Sequence, residues 1–435
     1  MAEQTGRAGA EKTVAFTFDG EPVTGRLGEP LAVALVRAGY INLARSPKFH
    51  RPRGPSCLRG GCDGCVLRVD GVPNVLSCLE PVCDGVRVES QNSALTRRFD
   101  PLRGADFTFP NGFNHHDFLA GIPIAEDLLA AFARKVAGLG HLPTEPGSVR
   151  EATVETTDVL VVGSGPFGLA AARAAASAGL QSIVVDDAVA PVGVLRAFPA
   201  RDPRAAYLHP TPKDLRVGAT VVGIYDPDGK PRALLLARDR GASLIYPKWF
   251  VFATGNHDAT IPCGDEDRPG VFSARAAGIL VEAGVVLQEP VLVAPRGATE
   301  LGRSVAERLG ITVIEKGVSE VLGLSEVRGV SFEDGTTLSA KTLIVDVPPA
   351  PAHELLAEAG FAVVLGEAGF LPAENSLVSR RNCFLAIGGA NGRALGEVAA
   401  TEAALDRIFS EASVVDEGTE EKNSSADGEH IKHTK

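Results

Sequence analysis

The sequence has no excess of positive charge: 43 Lys and Arg stand against 54 Asp and Glu, for a formal net charge of -11. Nucleic-acid binding needs a clustered basic face, so a general nucleic-acid footprint is not expected. No apolar run is long enough to span a bilayer, and the start, MAEQTGRAGAEK, has no basic segment leading into an apolar one. These absences point to a cytoplasmic protein with no membrane partner. Cysteines number only seven, an odd count, and four of them fall between Cys57 and Cys78. That suits metal ligation in a reducing compartment better than a disulfide framework. Outside this stretch there is no C-x-x-C, which argues against a redox-active disulfide beside a nucleotide. A nucleophile elbow, a paired-carboxylate motif and a second metal-ligand set are also missing, so catalytic residues stay unknown at this level.

What is present is enough chain for two or three domains, 435 residues, with 48 glycines, more than this length usually carries. Thr13 to Asp19 alternates apolar and polar residues, and a second extended segment, PVTGRLG, follows Gly20. Pro30 then opens LAVALVRAGY at helical spacing. After a cysteine loop, GCVLRVDGVPNVLSC places the turn dipeptide Asp70-Gly71 between two strand-like runs. This order resembles a β-grasp, giving a ferredoxin-like domain over 10–99. A connector is expected over 100–154, with LLAAFARKVAGLG as a helix. From Asp158 the pattern becomes a buried strand, glycine turn, small-residue helix and second strand, one βαβ unit. A Rossmann domain is expected in two pieces, 155–268 and 348–412, around an inserted nucleotide-binding-like domain, 269–347. That insert contains the hairpin VRGVSFEDGTTLSA, turning at Asp334-Gly335. The polar tail 413–435 reads as disordered. The fold class is therefore α/β: a β-grasp domain followed by two dinucleotide-binding domains.

Cys57, Cys62, Cys65 and Cys78 follow the spacing C-x4-C-x2-C and, twelve residues on, a fourth cysteine. This is the pattern of plant-type 2Fe-2S ferredoxins. Glycines 60, 61 and 64 let the loop fold tightly and turn N–H groups toward sulfur. Zinc usually takes two C-x2-C pairs, and core cysteines need no glycine loop, so cluster binding is the favoured reading. Cys83 could substitute as a ligand, but its EPVCDG setting reads as a buried thiol. Cys263 and Cys383 read as packing residues.

Gly163, Gly165 and Gly168, with Pro166 and Phe167 between them, open a helix directly after the strand VLVV. Asp186 and Asp187 end the next strand, about twenty residues on, as a Rossmann fingerprint requires. The glycines allow the tight turn, the close approach of a pyrophosphate and the packing of helix on strand, with the helix N-terminus facing the anion. Asp186 is placed to accept from ribose hydroxyls. Thr254 and Gly255, then Gly388 and Gly389, resemble the paired turns that bring chain back to the first cofactor in two-dinucleotide-domain flavoproteins. In the insert, APRGATELG puts Pro295 and Arg296 where a nicotinamide-binding turn needs glycines, so this site reads as degenerate.

These residues, with Arg45-Ser-Pro-Lys-Phe-His-Arg-Pro-Arg-Gly54, FPNGFNHHDF, KVAGLG and AIGGANG, resemble the alpha subunit of heterotetrameric sarcosine oxidase and related opine, hydroxyproline and cyanide-forming amino-acid dehydrogenases. The resemblance covers nearly the whole chain. It departs in the cysteine set, which the sarcosine oxidase alpha subunit lacks, and in that subunit's aminomethyltransferase-like half. Relatives that keep a cluster often carry it on a separate small subunit, so the chain looks like a fusion of the two. The resemblance implies a 2Fe-2S cluster and FAD, with NAD as the alternative. It also implies an amine-oxidising flavin (beta) subunit as partner, leaves room for a separate aminomethyltransferase-like subunit, and assigns the chain electron transfer. Two other readings stay open: an independent NAD(P)H-dependent iron–sulfur flavoprotein reductase, and a non-enzymatic redox-sensing or scaffold subunit.

Lys48, His50, Arg51 and Arg53 could contact a flavin phosphate or a partner, or could anchor an ordered loop. His115, His116 and the His257-Asp258 pair lack an identifiable catalytic acid or base nearby.

Overall fold

A computed structural model describes residues 12–108 and 151–411, apart from 48, 94, 95, 98, 192, 239, 240, 368 and 375. The expected helix over 128–140, FPNGFNHHDF with His115 and His116, Lys48 and the tail from 413 lie outside the described residues. The described chain packs as two compact units, one comprising 12–108, 196–200 and 258–348, the other 151–195, 201–257 and 349–411.

The first unit begins with β1 (Thr13–Phe18) and β2 (Glu21–Arg26), an antiparallel pair turning through Asp19 and Gly20, both at positive φ. In β1 the alternation expected from sequence is realised, with Val14, Phe16 and Phe18 turned into the core. Helix α1 (Leu31–Arg37) follows Pro30 and stops earlier than LAVALVRAGY suggests, because Gly39 turns the chain at φ +88°. Six successive residues, Leu31 to Val36, are buried. A helix without a polar stripe must be covered on every side, and α1 is. β3 (Val66–Val69), β4 (Val72–Leu76) and β5 (Arg87–Glu89) complete a sheet of order β2-β1-β5-β3-β4, in which β1 and β5 run parallel. The Asp70-Gly71 turn has positive φ at both residues, as a two-residue hairpin requires.

The second unit holds β6 (Thr153–Val162), helix α2 (Pro166–Ser177), β7 (Ser182–Asp186), β8 (Asp214–Val217), β9 (Ala219–Tyr225), β10 (Arg232–Ala237) and β11 (Gly241–Phe252). Their order is β8-β7-β6-β11-β10-β9, and the strand Phe384–Ala386 returns to lie parallel beside β11. Three parallel strands, β6, β11 and Phe384–Ala386, thus end side by side. Their runs of apolar residues reflect burial on both faces.

Residues 258–348 add a parallel sheet to the first unit: β12 (Val271–Ser273), helix α3 (Ala274–Glu282), β13 (Pro290–Val293), helix α4 (Glu300–Leu309), β14 (Val313–Ile314), then a meander β15 (Val318–Gly323), β16 (Val327–Phe332) and β17 (Thr337–Ser339), and finally β18 (Thr342–Val345). The parallel order is β12-β18-β13-β14. This segment and the β-grasp share one continuous hydrophobic cluster, running from Phe16 and Leu35 to Ala276, Leu280 and Val305. Arg37 of α1 fastens the two by donating to the Ala283 carbonyl, 3.1 Å, while its guanidinium is held by Glu29. Among the described residues, no helix is long and apolar enough to cross a membrane.

Candidate cluster and nucleotide sites

The cysteine loop is built on backbone contacts that leave no room for side chains. A Cβ on Gly64 would stand 1.9 Å from the Gly54 carbonyl oxygen, and one on Gly54 2.2 Å from that of Ile41. Gly54 therefore belongs to the loop's foundation, which explains the glycine closing the RSPKFHRPRG segment. Cys57, Cys65 and Cys78 are buried, and Cys62 is half-buried. The thiols fall into two hydrogen-bonded pairs, Cys57 with Cys62 and Cys65 with Cys78. In each pair the shared hydrogen bond separates the two titrations. Cys62 is lowered to about 6 by its bond from Cys57, and Cys65 is lowered by Cys78. Cys57 and Cys78 are pushed up, first by those same bonds and then by burial. Backbone N–H groups supply the rest: Arg59 donates to the Cys57 sulfur at 3.4 Å and Gly60 to that of Cys78 at 3.2 Å, while Ser56, Cys57 and Gly64 favour the Cys62 thiolate.

Among the described residues, no three His, Cys, Asp or Glu side chains converge as a single-ion site. Four thiols on one amide-lined loop, with the spacing of plant-type ferredoxins, fit the ligand set of a di-iron core. Cys83 is exposed, contrary to the sequence expectation of a buried thiol, because its Pro-Val-Cys-Asp-Gly segment turns outward before β5. The basic run is committed to carboxylates. His50 Nδ1 lies 2.8 Å from Asp100, Arg51 donates to Asp106 at 2.6 Å, and Arg53 is bonded to Asp267. Those contacts match the ordered-loop reading of that segment.

In the second unit, a Cβ on Gly163 would meet the Ala253 carbonyl oxygen at 2.3 Å, and one on Gly168 the Gly163 oxygen at 1.8 Å. Strand end, turn and helix are thereby locked together. Gly165 differs: its φ is ordinary at -69° and its nearest neighbour, Gly193 Cα, is 3.9 Å from a built Cβ. Among the described residues nothing else comes within 4 Å of that point, at the N-terminus of α2, where the helix dipole favours an anion. Pro166 and Phe167 start the helix and are buried. Asp186 accepts from the Ser164 N–H and hydroxyl, both at 2.7 Å on one oxygen, and from the Ala188 N–H at 3.0 Å on the other. It braces the turn while keeping acceptor capacity for a hydroxyl. Asp187 follows, half-buried. Thr254 donates to the Ala352 carbonyl at 2.8 Å, and Gly255 accepts from the Ala352 N–H. A Cβ on Gly388 would strike the Phe167 ring at 2.7 Å, so the returning turn lies directly on the first.

Asn256 was not singled out by sequence. With its side-chain nitrogen facing them, it donates to the carbonyls of Gly389, 2.7 Å, and Gly255, 3.1 Å, tying the two later turns together. Its signal was its place immediately after Ala-Thr-Gly. His257 contacts Glu354 at 2.7 Å on an exposed surface. Glu354 sits below the usual carboxylate range: burial opposes this, but its own helix amide and His257 outweigh burial.

The corresponding turn of the insert is filled from within. Asp346, at the end of β18 and 2% exposed, accepts from the Thr299 N–H at 2.7 Å and hydroxyl at 2.8 Å. Thr299 in turn caps α4 by accepting from Gly302, 3.0 Å. A Cβ on Gly302 would stand 1.9 Å from the Asp346 carboxylate. Burial raises the Asp346 pKa, and the two Thr299 hydrogen bonds work against that shift. The positive end of α4 therefore already holds an anion belonging to the chain.

Residues 11–93 match the 2Fe-2S iron-sulfur cluster binding domain family. Sarcosine oxidase subunit alpha of Rhizobium meliloti is 31% identical over 298 residues, 60% of this chain and 30% of that protein. Hydrogen cyanide synthase subunit HcnA of Pseudomonas aeruginosa is 32% identical over 83 residues, 19% of this chain and 75% of that protein. Among solved structures, L-proline dehydrogenase from P. horikoshii superposes with a TM-score of 0.69 at 18% identity, covering 93% of this chain and 75% of that one. The chain thus spans less than a third of the sarcosine oxidase subunit it matches. Its fold is a 2Fe-2S ferredoxin-like domain followed by a two-dinucleotide-binding-domain flavoprotein fold.

Proposed function

We propose that this chain, which belongs to the family of hydrogen cyanide synthase subunit HcnA, carries a 2Fe-2S domain match at 11–93 and is similar to the sarcosine oxidase alpha subunit, is an electron-transfer subunit of a multisubunit flavoenzyme. Its complex oxidises a secondary amine or amino acid of the sarcosine, proline or opine class. The observation that carries this reading is one tight loop that gathers four buried or half-buried thiols and turns the Arg59 and Gly60 N–H groups onto their sulfurs. Cys57 and Cys62 would hold one iron, Cys65 and Cys78 the other.

The first nucleotide turn would hold FAD, with Gly165 and the start of α2 against the pyrophosphate, Asp186 toward the ribose, and the turns at Thr254-Gly255 and Gly388-Gly389 beside it. FAD is favoured over NAD because a flavin takes electrons in pairs and returns them singly, which a one-electron cluster requires. Substrate oxidation falls to a partner, an amine-oxidising flavin subunit, and an aminomethyltransferase-like subunit fits the same assembly. Free thiols in the cluster loop suit a reducing cytoplasm. Asp346 argues against the independent NAD(P)H reductase, since that activity needs an open second turn.

The test is the cofactor content of full-length protein after anaerobic reconstitution. Equal iron and acid-labile sulfide, together with FAD released on denaturation, are expected. Protein that takes up zinc in place of iron, or retains iron undiminished in a Cys65→Ser variant, would refute the assignment. Flavin bleached rapidly by NADH without a partner would favour the reductase.

A further inference from the structure

The cluster loop is braced by the inserted segment of the same unit. The Ser273 N–H, at the end of β12, donates to the carbonyl of Ser56, the residue before Cys57, at 2.9 Å. The Ser273 hydroxyl accepts from Ala276, capping α3, and donates to Asp258 at 2.9 Å. The other Asp258 oxygen is 3.2 Å from Arg275 Nε, and both of these side chains are only 10% exposed. Arg275 occupies the second position of α3, near the positive end of the helix dipole, where a cation is disfavoured. Helix stability does not account for it. Ser273, bonded to Asp258 and two residues before Arg275, carries the main-chain bond to Ser56, so both charges stand on the segment that meets the residue next to Cys57.

A cluster held by four thiolates becomes one charge more negative on reduction, and its potential follows the net charge and hydrogen bonds around it. We propose that the buried Asp258–Arg275 pair sets the reduction potential of the cluster, Arg275 as the positioning residue that favours the reduced state and Asp258 as its counterweight. The proposal rests on the cluster assignment above and adds a determinant that lies outside the ferredoxin-like domain. Such a determinant explains why the ferredoxin fold is packed on the insert rather than carried on a free tether.

The experiment is a redox titration of the full-length reconstituted protein, followed by the electron paramagnetic resonance signal of the reduced cluster. Arg275→Gln leaves the Asp258 charge uncompensated, so the midpoint falls, changing the reduced-to-oxidised ratio at fixed potential by about tenfold, which is about 59 mV for one electron. Asp258→Asn leaves the guanidinium uncompensated and moves the midpoint up. Arg275→Lys retains the charge and stays near the wild type. Midpoints that remain in place, or that move the same way in Arg275→Gln and Asp258→Asn, would reduce the pair to a structural brace and overturn the proposal. If Arg275→Gln fails to assemble, Asp258→Asn and Arg275→Lys decide it by the same signs. Wild-type protein that forms no cluster overturns the cluster assignment and this proposal together, a result visible before any variant is made.

Discussion

Two turns of this chain occupy equivalent places in two βαβ units and have opposite fates. At Gly163–Gly168, among the described residues, only Gly193 Cα comes within 4 Å of a Cβ built on Gly165, and Asp186 stands at the end of the neighbouring strand bracing the turn from the side. At 294–302 the helix N-terminus is occupied by Asp346, and the turn carries Pro295 and Arg296 in place of glycines. A carboxylate at a helix N-terminus satisfies its unpaired N–H groups and dipole, and only the second turn draws one from its own chain in this way. In the insert, the chain's own carboxylate, together with Pro295 and Arg296, stands at the helix start where the first turn has glycines.

That contrast can be broken experimentally. Gly165→Val should keep the fold, since its φ is ordinary and the site has room, yet lower nucleotide retention by about a hundredfold through lost charged hydrogen bonds; the nucleotide left on purified protein reads this directly, and full retention would place the ligand elsewhere. Gly302→Val should do the reverse. The added methyls strike the Asp346 carboxylate, so stability drops by about 3 kcal/mol in denaturant unfolding while nucleotide content is unchanged. A smaller effect is expected of Asp346→Asn, about 1 kcal/mol from a weakened cap, with no NADH binding gained by calorimetry. Tight NADH binding by that variant would mean the carboxylate alone had closed the site.

The smallest effect belongs to the flank of the first turn's sheet. Arg216 on β8 holds Glu155 of β6 in a two-pronged bond, 2.7 and 3.0 Å, and this lowers the Glu155 pKa. A carboxylate with a lowered folded pKa contributes stability that is present above its unfolded value and lost as pH falls through the folded one. Glu155→Gln should therefore cost at most about 1 kcal/mol at neutral pH, and nothing once the pH is well below about 4.3. An equal cost at all pH values, measured by unfolding midpoints, would show that packing rather than charge is lost.

Much of this was legible from residue order. The spacing of Cys57, Cys62, Cys65 and Cys78, the Asp70-Gly71 and Asp334-Gly335 turns and the strand-turn-helix around Gly163 depend on neighbours along the chain, and local geometry obeyed them. Helix α1 ended early because a left-handed Gly39 overrode the apolar period, and Cys83 faced outward because composition alone does not say which side of a turn a residue takes.

The sequence by itself determined that four thiols and a glycine turn exist at workable spacings, since such motifs are short enough for covalent geometry to fix them. Only the tertiary structure decided that the thiols pair two by two, that Asp346 accepts from Thr299 at the start of α4, that Asn256 links two later turns, and that Ser273, held by Asp258, meets Ser56 beside the cluster loop. Each of these joins groups distant in sequence or sets the facing of side chains across a turn. Such contacts follow from the packing of whole elements around a shared core, which no local pattern encodes.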